Sequence, residues 1–348
     1  MVDLCGVRGY ISAVKSSSIQ GKVLITGASG FIGSRLRDRL LDAGLDVLAV
    51  RRPGSPEAKR GRSVAARYDD VDGLEAIVRE ERPDFVLHVA GVTKGVTYAD
   101  FRRGNVMPTE NLLAALGRVR QREGWQGPTR FVHVSSLAAF GPSSPGRPHR
   151  ESDQRRPIEH YGESKLEAER VVESSEGIPW TIVRPSGVYG PGDGDYFQLF
   201  QSAARGWNVF FGNRDRWFSA VYVDDCVRAI LDAAVSPAAV GKGYFLCDGA
   251  PTTWGDFQAC IAEATPRRVR DLHLPEFLVE LAAFGGELVT RIDGKPRLFN
   301  RQKAKMGAQP AWTCTHESAR ADFGYAPEVD QREGIRRAFE WYQRERWL

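Results

Sequence analysis

With 348 residues, the chain exceeds the roughly 100–200 of a typical domain, which points to one large α/β unit with a smaller appended lobe. Hydrophobic residues at 42% and charged residues at 26% exclude a disordered chain. The net charge of +4, with Lys and Arg scattered rather than striped, argues against a nucleic-acid partner and suits an anionic cofactor.

The five cysteines, Cys5, Cys226, Cys247, Cys260 and Cys314, are odd in number and lack a C-x-x-C pair. Neither a disulfide framework nor a zinc site is expected, and a reducing cytoplasm fits. The histidines lack ligand spacing, so no metal is expected, and His88 and His133 in apolar runs read as core histidines. Residues 1–21 have no signal-peptide core and read as a frayed extension. No run of about 20 apolar residues predicts a membrane span.

Along the chain, short apolar runs alternate with helical patterns: Lys22–Thr26, Phe31–Ala43, Val47–Val50, Leu74–Glu81, Phe85–Val89, Asn105–Arg122, Arg130–Ser135, Tyr161–Ser174 and Trp180–Arg184. The runs KVLIT, FVLHVA and RFVHVS are nearly continuous in apolar residues, as in a parallel sheet covered on both faces. The fold class is α/β, a doubly wound parallel sheet of Rossmann type with a smaller C-terminal substrate lobe. Beyond Pro185 the rhythm breaks at Gly187, Gly190, Pro191, Gly192 and Gly194. The expected division is 22–189 for the dinucleotide-binding domain, with 216–245 returning to it, and 190–215 plus 246–348 for the lobe.

Residues 22–36, KVLITGASGFIGSRL, read strand, turn, helix, with Gly27, Gly30 and Gly33 in G-x-x-G-x-x-G spacing. Glycines there allow a tight turn and close backbone approach, so a pyrophosphate can sit on the helix N-terminus. Gly27, Ser29, Gly30, Phe31 and Ile32 are the candidates for that contact. The second strand ends in Arg51–Arg52 with no acid to hold a ribose 2′-hydroxyl. Guanidinium forks match a 2′-phosphate, which favours NADP(H) over NAD(H). Asp69 is a candidate for the adenine, or simply part of an Asp-rich turn.

Tyr161-Gly-Glu-Ser-Lys165 opens a helical stretch, which puts Tyr161 and Lys165 one turn apart on one face. A phenol is a poor base near neutrality, and a neighbouring ammonium would lower its pKa. Ser135 and Ser136 end the strand RFVHV at the crevice edge, where one hydroxyl can polarise a carbonyl.

With these residues in view, the chain resembles the extended short-chain dehydrogenases, the NAD(P)-dependent epimerase/dehydratase superfamily. TGASGFIGS (26–34), HVAG (88–91), NVMPTENLLAA (105–115), VSSLAAFG (134–141), YGESK (161–165), RPSGVYGPGD (184–193) and VYVDD (221–225) follow the family's order. The resemblance implies a catalytic trio of Ser136, Tyr161 and Lys165, with Ser135 a structural neighbour. It further implies that Val89, Ala90 and Gly91 line the cofactor and that Asn105 and Thr109 steady the sheet. Lys165 would bond the nicotinamide ribose and Pro185 would pack beside the amide. Arg51 matches an arginine of dihydroflavonol reductase-like members, and the chain's ending is similar to that of 3β-hydroxysteroid dehydrogenase-like ones.

Where many nucleotide-sugar enzymes carry an Asn before V-Y-G-P, this chain has Pro185, Ser186 and Gly187. The segment 274–292 shows an apolar helical face that suits core packing, a lid or peripheral membrane contact. The expected function is hydride transfer between NADP(H) and a ketone or secondary alcohol of a sterol, isoprenoid or long-chain keto-lipid. One alternative is a nucleotide-sugar epimerase or dehydratase, in which Arg205, Arg214 and Arg216 grip a diphosphate. Another is a non-catalytic NADP-binding sensor or assembly factor. A cytoplasmic homodimer, paired through the helices after Asn105 and Tyr161, is the family-based expectation.

Overall fold

Six strands come first along the chain, β1 (Lys22–Thr26), β2 (Asp46–Arg51), β3 (Arg62–Ala65), β4 (Phe85–His88), β5 (Arg130–Val134) and β6 (Trp180–Pro185), most of them from runs of aliphatic residues. A computed structural model, describing residues 19–55, 57, 60–278 and 301–348, joins them with a last strand, Lys242–Leu246, into one sheet. The order across it is 242–246, β6, β5, β4, β1, β2, β3, and every pairing is parallel. This is the doubly wound α/β architecture, with the crossover point between β1 and β4, where a crevice opens at the strands' C-terminal ends.

The helices are α1 (Phe31–Asp42), α2 (Val71–Glu81), α3 (Tyr98–Phe101), α4 (Met107–Glu123) and α5 (His160–Glu173). Helix α1 and the Val223–Val235 helix cover one face, burying Leu36, Leu40, Val227 and Ile230 against Val23, Ile25 and Val132. On the other face α2, α4 and α5 bury Leu74, Val78, Leu112, Leu116 and Val172 against Leu24, Val86 and Phe131. Each such aliphatic side chain contributes about 1.5–3 kcal/mol. Burial on both faces is why β4 and β5 carry no solvent-facing alternation.

Two sheet members escape the sequence pattern. β3, RSVA, is a half-exposed edge strand, and 242–246 follows a surface turn. The helix expected from Asn105 begins instead as a π-helical turn, Arg102–Val106, between α3 and α4. Ile19, assigned from sequence to the extension, is buried in the first core.

A further core is built on aromatic rings: Phe200, Phe257, Phe339 and Tyr342 share it with Tyr189, Phe218 and Tyr222, which come from the segments assigned by sequence to the dinucleotide-binding domain. Around it lie two short strand pairs, Gly187–Tyr189 with Ala220–Tyr222 and Trp207–Phe211 with Arg270–Leu274, and a three-stranded sheet with Trp217–Phe218 between Thr252–Thr253 and Ala311–Trp312. The C-terminal helix Gln331–Arg344 closes that core, and Tyr342 donates from its hydroxyl to the Asp193 carbonyl oxygen at 2.7 Å, with that of Gly190 at 3.2 Å. Of the 274–292 segment, everything from 279 lies outside the described residues. Among the described residues no helix is long and apolar enough to cross a membrane.

Candidate active site

The turn after β1 is shaped by contacts only glycine tolerates. Gly27 has φ of +72°, and a Cβ on it would lie 2.6 Å from the Ala90 nitrogen. A Cβ on Gly33 would lie 2.1 Å from the Gly27 carbonyl oxygen, so the first turn of α1 packs directly on the loop. Helix α1 starts without a side-chain cap and without an acid in its first turn, whereas Asp70 caps α2 and Glu159 caps α5. Its free N–H groups and positive dipole end face the crevice. Ser29 and Gly30 are exposed there, and Phe31 and Ile32 are half-buried. These residues fit a dinucleotide pyrophosphate.

Around that turn the other cofactor candidates separate. Val89, Ala90 and Gly91 follow β4, and Thr26 accepts the Ala90 N–H at 3.2 Å through its hydroxyl. Arg51 donates to the Ser55 carbonyl oxygen and to Glu57, while Arg52 is exposed. Asp69 is exposed and holds Arg67 through two hydrogen bonds, 2.9 and 2.8 Å. Pro185 is buried at the end of β6.

Ser136 is half-buried within an otherwise buried run, and Tyr161 is half-buried at the start of α5. Ser136 follows β5 and caps a short 3₁₀ turn, Leu137–Ala139, by accepting the Ala138 N–H at 3.2 Å. Glu159 fixes the entry of α5 by accepting the N–H groups of Tyr161 and Gly162, each at 2.7 Å. Desolvation pushes the Tyr161 phenol up to about 12, while hydrogen bonding with Ser136 draws it partly back. Lys165 is buried one turn later and donates from Nζ to the Val134 carbonyl oxygen at 2.9 Å. Burial brings its ammonium down to about 8, opposed by the charge of Glu169.

Burial sets the direction of the Tyr161 shift, and the Lys165 ammonium is engaged by the Val134 carbonyl of β5. Lys165 also lies beside the cofactor loop, since a Cβ on Gly91 would come within 3.4 Å of its Nζ.

Sequence reasoning passed over Glu169 and Arg184, whose buried pair braces α5 against β6. The signal was present: Tyr161, Lys165 and Glu169 recur every four residues on one helix face. Among the described residues no cluster of His, Cys, Asp or Glu is placed to hold a metal ion.

A family model described as NAD dependent epimerase/dehydratase matches residues 23–246. The chain belongs to that family. It is an NAD(P)-dependent oxidoreductase of the extended short-chain dehydrogenase type. It is 27% identical over 331 residues to the 4-hydroxy-2-methyl-3-oxo-4-farnesyl-3,4-dihydroquinoline-1-oxide ketoreductase of Stigmatella aurantiaca, covering 90% of this chain and 94% of that one. It is 29% identical to the 2-alkyl-3-oxoalkanoate reductase of Stenotrophomonas maltophilia, covering 91% and 98%. UDP-glucose 4-epimerase of Thermotoga maritima shares the fold, with a TM-score of 0.75 and 23% identity over 93% of this chain and 99% of that one.

Proposed function

We propose that this family member interconverts a ketone and a secondary alcohol of an apolar substrate, a sterol, isoprenoid or long-chain keto-lipid, with NADP(H). The observation that carries the reading is Ser136 and Tyr161 half-exposed at the end of β5 and the start of α5, with Lys165 buried one turn beyond Tyr161. Two relatives named above act, by their names, on a farnesylated quinoline oxide and on 2-alkyl-3-oxoalkanoates, which supports an apolar ketone.

When bound, NADPH would supply hydride to the carbonyl carbon. Ser136 donates a hydrogen bond to the carbonyl oxygen, and Tyr161 passes its proton to that oxygen as the negative charge grows. A phenol held near 12 is fully protonated at neutral pH, the state an acid needs in the reductive direction. Lys165 presents its ammonium toward Gly91 and would bond the nicotinamide ribose. Gly27, Ser29, Gly30, Phe31 and Ile32 would hold the pyrophosphate, Arg51 and Arg52 would take the 2′-phosphate, and Val89, Ala90, Gly91 and Pro185 would line the nicotinamide half. Asp69, already paired with Arg67, is the weakest member of the set.

A nucleotide-sugar reading would need arginines for a diphosphate. Arg214 is tied to Asp271 at 2.8 Å and Arg216 to Glu276 at 2.7 Å, which leaves exposed Arg205 as the remaining candidate of the three. Within the preferred reading the enzyme is a cytoplasmic homodimer paired through α4 and α5, with 274–292 in peripheral membrane contact. Light scattering and sedimentation with lipid vesicles test those two assignments. The function itself is tested by following NADPH absorbance with a 2-alkyl-3-oxo ester, a 3-ketosteroid and UDP-glucose. Oxidation driven by an apolar ketone supports it; a response to UDP-glucose alone overturns it.

A further inference from the structure

His88 sits at the end of β4 with no exposure, directly beside Thr26 of β1 in the sheet register. Its Nδ1 lies 2.8 Å from Thr26 Oγ1, and its Nε2 lies 3.0 Å from Thr109 Oγ1. The hydrogen positions follow from the neighbours. Thr109 donates its single hydroxyl proton to the Asn105 carbonyl oxygen at 2.8 Å, so toward His88 it can only accept. Nε2 therefore carries the hydrogen and Nδ1 is the acceptor for Thr26, whose oxygen receives the Ala90 N–H.

The result is a one-directional chain, from Ala90 to Thr26 to Nδ1, then from Nε2 to Thr109 to Asn105. Thr26, His88, Thr109 and Asn105 are all buried, so each member lacks water as a substitute partner. Both ends meet the site. Thr26 and Ala90 flank the glycine turn. Asn105 holds Val92 by its N–H and C=O, at 2.7 and 3.1 Å, and donates to Ser164, which lies between Tyr161 and Lys165 on α5.

We infer that His88 is a positioning residue, locked as the neutral Nε2–H tautomer, that couples the cofactor turn to the helix carrying Tyr161 and Lys165. The inference rests on the cofactor lying over the glycine turn, but not on the identity of the ketone. Burial, aided by the charge of Lys165, brings the ring down to about 3, which keeps it neutral across the working range.

The test separates the two halves of the ring. Asn at 88 can place an oxygen where Nδ1 stood, and Gln can place an N–H where Nε2 stood. NADPH dissociation constants are measured by fluorescence on the full chain for His88→Asn, His88→Gln and His88→Ala, beside melting temperatures and the side-chain amide resonance of Asn105. His88→Asn should bind NADPH within threefold of the parent but shift the Asn105 amide. His88→Gln should keep that amide and lose NADPH affinity tenfold or more, and His88→Ala should do both. Equal behaviour of Asn and Gln, tracking melting temperature alone, overturns the coupling. Nitrogen-15 spectra of the unmutated ring decide independently of folding: an Nδ1–H or doubly protonated His88 at pH 7 also overturns it, whereas a ketone panel that fails touches only the substrate reading.

Discussion

The guanidinium of Arg184 meets the carboxylate of Glu169 through two hydrogen bonds, 2.9 and 3.0 Å long, with both side chains buried. Arg155 adds a third at 2.8 Å, and the assembly ties β6 to α5 one turn beyond Lys165. Removing Arg184 leaves the buried Glu169 carboxylate with Arg155 as its remaining cation. Arg184→Met should cost about 3–5 kcal/mol in urea unfolding, and adding Glu169→Gln should restore part of it. A single variant that unfolds at the parental urea concentration would show the pair to be idle.

Tyr161 is assigned the proton. Tyr161→Phe should lower kcat for an apolar ketone by about 10²–10⁴-fold while leaving NADPH affinity unchanged. Loss of NADPH binding in proportion to loss of rate would reassign Tyr161 to cofactor holding.

Arg51 is half-buried and its guanidinium already reaches Ser55 and Glu57, which pre-orients it at the end of β2. Arg51→Ala should reduce kcat/KM with NADPH by about tenfold or more, since charge-assisted bonds contribute about 1.5–3 kcal/mol, and should spare NADH. Equal losses with both cofactors would remove the 2′-phosphate role.

His133 stacks on His88 at 5.5 Å, and neither of its nitrogens has a hydrogen-bond partner. Burial holds both rings well below the ordinary 6.5. Below pH 6.5 the unfolded chain takes up protons that the folded one refuses, so stability falls as pH falls, by about 1.4 kcal/mol per unit for each ring. His133→Phe should match the parent at pH 7.5 and shed one ring's share of that acid slope between pH 6.5 and 5. Parallel stability curves would show that His133 is satisfied and protonates as readily folded as unfolded.

The strands and helices of the doubly wound half were legible because burial on both faces writes itself as continuous apolar runs, and KVLIT and RFVHV map onto β1 and β5. Edge strand β3 was not, since RSVA faces solvent and carries no such run. The candidate residues of the glycine turn and of Ser136, Tyr161 and Lys165 could be named from spacing and from family resemblance. Their electrostatics could not: the direction of the Tyr161 shift depends on how far its phenol is desolvated and on Lys165 turning to Val134, facts of packing. The His88 chain was equally hidden, because it joins β1, β4 and the stretch from the π turn into α4, which are far apart in sequence. The aromatic core that includes Tyr189 and Phe257 was not legible either, because its rings come from segments scattered along the chain and only the fold brings them together.

The most direct measurement is NADPH absorbance at saturating cofactor, taken with a 2-alkyl-3-oxo ester, a 3-ketosteroid and UDP-glucose side by side on the purified chain and its Tyr161→Phe variant. Oxidation with an apolar ketone that vanishes in the variant is the predicted result. Oxidation that survives the variant, or turnover of UDP-glucose with no response to either ketone, would contradict the account.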